Sequence, residues 1–251
     1  MRRVFSFIII GIVAIICIAI ATVYLSIGSV ITGSIEKYGT AITGTAVTLE
    51  EADYSSSSGE TILLGLSVSS PPEFKAEPAF LAPYIEMLID PQTISTEVIV
   101  IKRMEIKSPE ITYEILQNGD NLRALRHRIE QAVTAEQGGT FAPEMTGPTA
   151  KFIINDLYIN KGVVIVEAET LTGHRSTALL EDIHLQDIGR EENGLLPAAL
   201  IRRIYTPVVQ ATTIAALSTD LPLTEQVINL IRGASDETGE MIERLRKLLE
   251  K

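Results

Sequence analysis

From Val4 to Ile35 the chain carries no charged side chain, and this run constrains everything that follows it. Its core, Val4 to Ile27, is dominated by Ile, Val, Ala and Leu. As a helix those residues extend about 36 Å at 1.5 Å per residue, enough to cross a hydrocarbon layer roughly 30 Å thick. Backbone N–H and C=O groups inside lipid must be satisfied within the segment, so a lone span has to be helical. Three other readings are weaker. A cleaved secretory signal would use Ala19-Ile20-Ala21, yet the apolar run continues past that site to Ile31. A lipoprotein signal needs a small residue before Cys17, where Ile16 stands. A buried core helix would need more apolar chain around it than the remaining sequence supplies. Residues 1–28 therefore read as a cytoplasmic tip and a transmembrane anchor.

Arg2 and Arg3 precede the span and no charge follows until Glu36 and Lys37. Positive charge is retained on the cytoplasmic side, so everything after about residue 28 is expected outside it. Setting Arg2 and Arg3 aside leaves 19 basic against 32 acidic residues, a net charge of −13 for the exported part. Such a domain repels phosphate backbones, which excludes nucleic acid as a natural partner. Cys17, the only cysteine, lies in the span, so neither a disulfide nor a cysteine metal site can form in the domain.

Beyond the anchor the pattern is α+β. Residues 31–43 read as a short amphipathic helix ended by Gly44. Residues 45–54 and 61–69 read as an antiparallel hairpin around Ser55-Ser56-Ser57-Ser58-Gly59, stopped by Ser70-Pro71-Pro72. Residues 75–91 look helical or irregular, with Pro78 and Pro83 limiting any long helix. Residues 96–106 and 110–116 suggest a second strand pair broken at Ser108-Pro109. Asp120 is placed to cap a helix over 121–133 whose stripe is Leu122, Leu125, Ile129 and Val133. A loop over 135–148 leads to a third strand group, 150–160, 163–171 and 177–188, with turns at Lys161-Gly162 and Gly173. From Leu195 the chain turns helical, with Pro207 and Asp220-Leu221-Pro222 as expected breaks and an amphipathic stretch over 238–251. The expected domains are the anchor, a β-rich unit over 29–190 and a helical segment over 191–251.

One pattern recurs, apolar-x-x-apolar-x-apolar. It appears as Leu63, Leu66, Val68; as Ile101, Met104, Ile106; as Ile154, Leu157, Ile159; and as Leu180, Ile183, Leu185. The second and third copies match further, with Ser108-Pro109-Glu110-Ile111 equivalent to Lys161-Gly162-Val163-Val164 and Glu114 to Glu167. In a regular strand the first apolar residue of each triplet faces away from the other two. A bulge at the two-residue gap would bring all three to one face. Any sheet protein can yield such triplets, but four copies favour a stack of similar hairpins.

These features resemble the AsmA family of bacterial envelope proteins. The segment Ile35-Glu36-Lys37-Tyr38-Gly39-Thr40 followed by Gly44-Thr45-Ala46-Val47-Thr48-Leu49 is similar to that family's opening of a small helix, a glycine and a first strand. The stretch from Gly65 to Phe74, with its Pro71-Pro72 stop, resembles the end of its second strand. Residues 106–115 with Asn118-Gly119-Asp120-Asn121-Leu122, and residues 152–166, resemble later strand units. The resemblance spans about residues 1–188. It implies an antiparallel, twisted, half-open β-groove built of repeated hairpins, related to chorein-type bridge-like lipid-transfer proteins. It also implies anchoring in the inner membrane, projection into the periplasm, and a part in phospholipid transport or outer-membrane and envelope maintenance. The chain is short for a bridge across the periplasm.

Little catalytic equipment is visible. His127, His174 and His184 share no metal-binding spacing. Glu50-Glu51 and Glu191-Glu192 read as solvated acids, and Gly138-Gly139 lacks the Lys and helix of a phosphate cradle. No catalytic residue, cofactor or metal ligand is expected. The candidate groove lining is Leu66, Val68, Met104, Ile106, Leu157, Ile159, Ile183 and Leu185, with Arg123, Arg126 and Arg128 as headgroup contacts. The expected partners are the inner membrane through residues 4–27 and a phospholipid. The competing reading is a membrane-tethered periplasmic scaffold that binds another envelope protein and carries no lipid.

Overall fold

A computed structural model describes residues 28–140, 150–168 and 175–219. The anchor, Gly173, His174 and the two C-terminal expectations lie outside them. Among the described residues no helix is long and apolar enough to cross a membrane. The fold is α+β: three helices lie against one large mixed sheet.

Helix α1 (28–43) ends as expected, with Gly44 at a φ of 63° and its N–H bonded to the Thr40 carbonyl at 2.8 Å. Two α1 side chains satisfy the adjoining strand β1 (Val47–Thr48) and the residue after it. Thr40 Oγ1 accepts from the Val47 N–H at 3.1 Å, and Glu36 Oε1 from the Leu49 N–H at 3.0 Å. These two N–H groups at the β1 edge are thereby taken out of reach of a further strand.

Strands β1 and β2 (Glu51–Tyr54) both pair antiparallel with β3 (Glu60–Val68), which is the expected first hairpin. Residues 80–89, expected to be helical or irregular, form strand β4 (Phe80–Ile89) instead. Pro83 within it is exposed and sits where pairing to both neighbours lapses, so its missing N–H costs the ladder nothing.

The expected second hairpin is not one. β5 (Val98–Lys107) and β6 (Glu110–Leu116) do not pair with each other; both lie along the edge of β4 opposite β3, in one continuous register. A two-residue hairpin turn of the common type needs positive φ at both positions, and Pro109 cannot supply it. Only Ser108 turns left-handed, with φ 51°, so the chain bends and carries on. Lys161, with φ 56°, does the same between β8 (Lys151–Asn160) and β9 (Val163–Ala168). The ribbon β10 (Arg175–Leu179) to β11 (Ile183–Ile188) repeats the behaviour antiparallel to β9 and β8.

The sheet is mixed rather than antiparallel because β8 runs parallel to β5 and β9 parallel to β6. A short strand β7 (Gly119–Asp120) and helix α2 (Asn121–Gln137) carry the chain back between them. The parallel register sets Ile101 beside Ile154, Met104 beside Leu157, Ile106 beside Ile159 and Glu114 beside Glu167. The internal repeat in the sequence is this register. The two-residue gap is a bulge: Leu88 faces Arg103 but Ile89 faces Ile101, which leaves Lys102 extra. Ile101, Met104 and Ile106 consequently all join the core, as do Ile154, Leu157 and Ile159.

Helix α2 starts as read, with the Asp120 carboxylate accepting from the Arg123 N–H at 2.7 Å, and runs to Gln137, where Gly138 closes it. Helix α3 (Pro197–Leu217) continues through Pro207, which was expected to split it. Packing of Val209, Ala215 and Ala216 into the sheet core outweighs the single backbone bond the proline removes. The N-terminus of α3 has no side-chain cap of its own; Glu136, from the last turn of α2, accepts from the Ala198 N–H.

Asn121 is the polar keystone beneath α2. It is fully buried, with Oδ1 accepting from the Glu114 N–H at 3.0 Å and Nδ2 donating to the Thr112 carbonyl at 2.8 Å. Glu114 in turn accepts from the N–H groups of Lys75 and Ala76, tying down the loop before β4. Asn121→Ala leaves two buried backbone groups without partners. It is expected to cost about 2–4 kcal/mol in denaturant unfolding, at an unchanged dependence on denaturant concentration.

Candidate functional site

Between the inner face of the sheet and the three helices lies a cavity of about 600 Å³. Its floor includes Leu66, Val68, Ile106, Ile111 and Ile159; α1 contributes Ile35, Tyr38 and Ile42; α2 contributes Leu122, Leu125 and Ile129; α3 contributes Leu200, Ile204 and Val208. Among the described residues no charged side chain lines it. Most of the wall hydroxyls are turned back into the protein. Ser34 donates to the Val30 carbonyl at 2.7 Å, Thr43 to Gly39 at 2.8 Å, Thr212 to Val208 at 2.8 Å and Tyr205 to Leu122. What the walls present to a guest is therefore alkyl and aromatic carbon.

Of the candidate lining residues, Leu66, Val68, Ile106 and Ile159 reach this cavity. Met104, Leu157, Ile183 and Leu185 pack in the adjoining core instead. Leu157 is 0% exposed and belongs to the packing of the sheet. The fourth triplet is shifted as well. Ile183, Leu185 and Ile188 oppose Ile159, Leu157 and Ile154, while Leu180 packs over Gly162 where the ribbon bends. Sequence reasoning did not single out the helical walls, although the stripe 200, 204, 208 on α3 has the spacing of a buried helix face.

The three arginines do not gather at the cavity. Arg123 pairs with Asp120 at 3.6 Å, and Arg128 donates to the Gly44 carbonyl and pairs with Glu73 at 3.3 Å. Arg126 stands half-buried on α2, close enough for its charge to act on Tyr205 and Asp120. His127 bonds Gln131, and His184 stacks on Tyr158 at 4.2 Å and meets Asp156 at 2.9 Å on the outer face of the sheet. That face is a grid of solvated pairs, with Lys107 on Glu86 at 2.9 Å and Arg103 on Glu105 at 3.1 Å. Glu192 pairs with Arg203, Glu50 lies over Gly65, and Gly138-Gly139 closes α2. Among the described residues no three His, Cys, Asp or Glu side chains converge as a metal site requires.

Behind the cavity wall, burial raises the pKa of Asp120 above its ordinary 3.8, against the lowering pull of the Arg123 N–H and of two arginines. The same burial pushes the Tyr113 and Tyr205 phenols well up. No protein-family model matches the sequence, and no curated protein matches it either.

Two outcomes test this description. Since the folded-state pKa of Asp120 is raised, the unfolded chain ionises this group first, and its contribution to stability is lost as pH climbs upward from about 3.8. Asp120→Asn keeps a helix-capping acceptor but no charge, so the parent's melting temperature should drop relative to the variant's over that window. Leu157→Ala should cost about 2–5 kcal/mol as a core deletion. Leu157→Asp should unfold the domain outright, instead of leaving a folded protein with altered binding.

Proposed function

We propose that this protein is a single-pass inner-membrane protein whose domain stands in the periplasm and handles phospholipid without catalysis. In this reading it is a short AsmA-like member of the envelope-maintenance machinery. One observation carries the proposal: an uncharged cavity of about 600 Å³ held open between a sheet and three helices. Its size lies within the roughly 300–1,000 Å³ of ordinary ligand pockets. Alkyl carbon moved into such walls gains about 0.8 kcal/mol per methylene. The apolar run over residues 4–27 and the arginines before it support the membrane assignment, and α1, one wall of the cavity, is described from residue 28 onward. The half-open groove of the resemblance becomes, in this reading, a floor roofed by α1, α2 and α3.

The scaffold reading retains one supporting feature. Among the described residues the β10–β11 ribbon pairs on one side only, and Leu179 on it is 81% exposed. A strand of another envelope protein could add there.

Photocrosslinking separates the two. The full chain is reconstituted in phosphatidylglycerol vesicles containing a phospholipid with a diazirine near its tail end, then irradiated and digested. Lipid handling predicts labelled peptides from 200–212 and from the strands bearing Ile106 and Ile159. Labels confined to residues 4–27, together with a co-purifying protein partner, would favour the scaffold.

A further inference from the structure

We infer that the corner of the sheet beside residue 28 is a lipid-contacting surface, where the turns at 55–59 and 91–96 lie in the headgroup layer of the bilayer and Ile94 enters it. The inference rests on the single-pass reading above and fixes how the domain stands on its anchor. Geometry along α1 supplies the first argument. Thr40 meets the Val47 N–H, Glu36 meets the Leu49 N–H, and Gly28 lies against the Ala52 carbonyl with no room between them for a Cβ. Twelve helical residues rise about 18 Å and five extended ones about 17 Å, so α1 runs alongside β1 and β2. Followed back towards residue 28, the helix heads for the turn that joins β2 to β3. That turn starts at Ser55, three residues or about 10 Å beyond Ala52. The next turn lies beside it, since the Ile89 N–H donates to the Gly59 carbonyl at 2.9 Å shortly before Pro91. Both turns thus project beyond the junction between the domain and residues 4–27. A headgroup layer is roughly 5–8 Å deep on each side of the hydrocarbon. With Ile27 at its inner limit, the turns descend to it even when the domain tilts.

The side chains at this corner supply the second argument. Among the described residues four large apolar side chains stand exposed, and three of them, Val30, Leu88 and Ile94, are here. Val30 is two residues along α1, Leu88 pairs with Glu60 just past the first turn, and Ile94 lies in the second turn. The fourth, Leu179, is on the ribbon farthest from α1. Neither turn carries a charge: 55–59 is four serines and a glycine, and 91–96 contains only Pro, Gln, Thr, Ile and Ser. Asp90, before the second turn, is already paired with Lys102 at 3.2 Å. Further across the same end of the sheet charge returns at Arg190, Glu191 and Glu192, which confines the contact to the corner beside α1. Glu60 and Glu97 flank the turns and would be repelled by an anionic surface, so the contact works through uncharged side chains and not through charge. A bilayer is the occupant because the tether that ends at this corner holds the corner against it.

The chain contains no tryptophan, so a single introduced one reports its own surroundings. Ile94→Trp and Ser57→Trp place it in the two turns, and Leu179→Trp places it on the far ribbon as the solvent reference. Each full-length variant, with parent-like circular dichroism, is reconstituted in phosphatidylcholine vesicles and recovered by flotation. Its fluorescence is then read with iodide on both sides of the membrane, and with phosphatidylcholine brominated at the headgroup end of its tails. Ile94→Trp and Ser57→Trp should be quenched by the brominated lipid and quenched several-fold less by iodide than Leu179→Trp, and Ile94→Trp should emit further to the blue. Leu179→Trp should respond to iodide alone. If the turn variants float but respond to iodide as Leu179→Trp does, with no effect of bromine, the contact is overturned and the membrane reading stands. Shielding from iodide without quenching by bromine also overturns it, because the cover is then protein, such as a second copy of the chain. A folded chain that does not float with the vesicles removes both.

Discussion

Every ribbon of this sheet breaks at the same level. Glu50, Gly65, Pro83, Ser108, Lys161 and Glu181 stand abreast, each between residues whose pairing runs on unchanged on either side. The constraint behind this is the two-residue period of a strand, since a slip of one position would turn a whole buried face outward. A bend in one ribbon can be tolerated only if its neighbours bend with it. Gly65, Ser108 and Lys161 take left-handed φ values of 63°, 51° and 56°, and each changes the chain's direction without changing its register. At Gly65 the left-handed φ carries no Cβ penalty, and the Glu50 side chain lies across the space that a Cβ would take. A second shared irregularity, at Leu88/Ile89 and at Asp187, φ 52°, brings the apolar triplets of neighbouring ribbons onto one face. The crease and the bulge together decide which side chains face the helices.

The helices in turn depend on polar contacts made at their ends. α1 finishes at Gly44 and offers the sheet two acceptors, on Glu36 and Thr40, that satisfy N–H groups at the β1 edge. α2 is fixed at its start by Asp120 and Asn121 and reaches α3 through Glu136 at its end. Ile42, Ile129, Ala132, Val133 and Ala198 form a small apolar cluster where the three meet, separate from the main core. The cavity lies between that cluster and the sheet, spanned by α3 on its way from Pro197 to Leu217. The helices are braced against each other at one end and against the sheet at the other, and the middle remains apart.

Local chemistry was legible in the sequence wherever a single residue decides the outcome. Gly44 stops α1, Asp120 caps α2, and the triplets at Ile101 and Ile154, matched fifty-three residues apart as copies of one repeat, come to lie side by side. Pairing partners were not legible, because Ser108-Pro109 and Lys161-Gly162 look like hairpin turns until the φ values show one left-handed residue in place of two. β4 was hidden by Pro78, which precedes it, and by Pro83, whose usual meaning is reversed at a level where no ladder bond is formed. Pro207 misled in the same way, since tertiary packing carried α3 through it. Half of the candidate lining borders the cavity, as the repeat places Leu66, Ile106 and Ile159 on the inner face. The other half could not be separated from it. Whether an inner-face residue meets a helix or a cavity depends on where α1, α2 and α3 cross, and those helices come from parts of the chain far apart in sequence.

The walls of the cavity are held by contacts that its own apolar surface does not supply. The cavity opens to solvent along part of its surface, so water can enter, but the wall hydroxyls are mostly committed to backbone carbonyls and give that water few partners. Closing the gap would bury more alkyl surface, yet it would pull α1 from the β1 edge or Glu136 from the N-terminus of α3, exposing donors that those contacts satisfy. Apolar wall therefore stays facing the opening, and an alkyl guest that covered it would raise the unfolding free energy along with its own affinity.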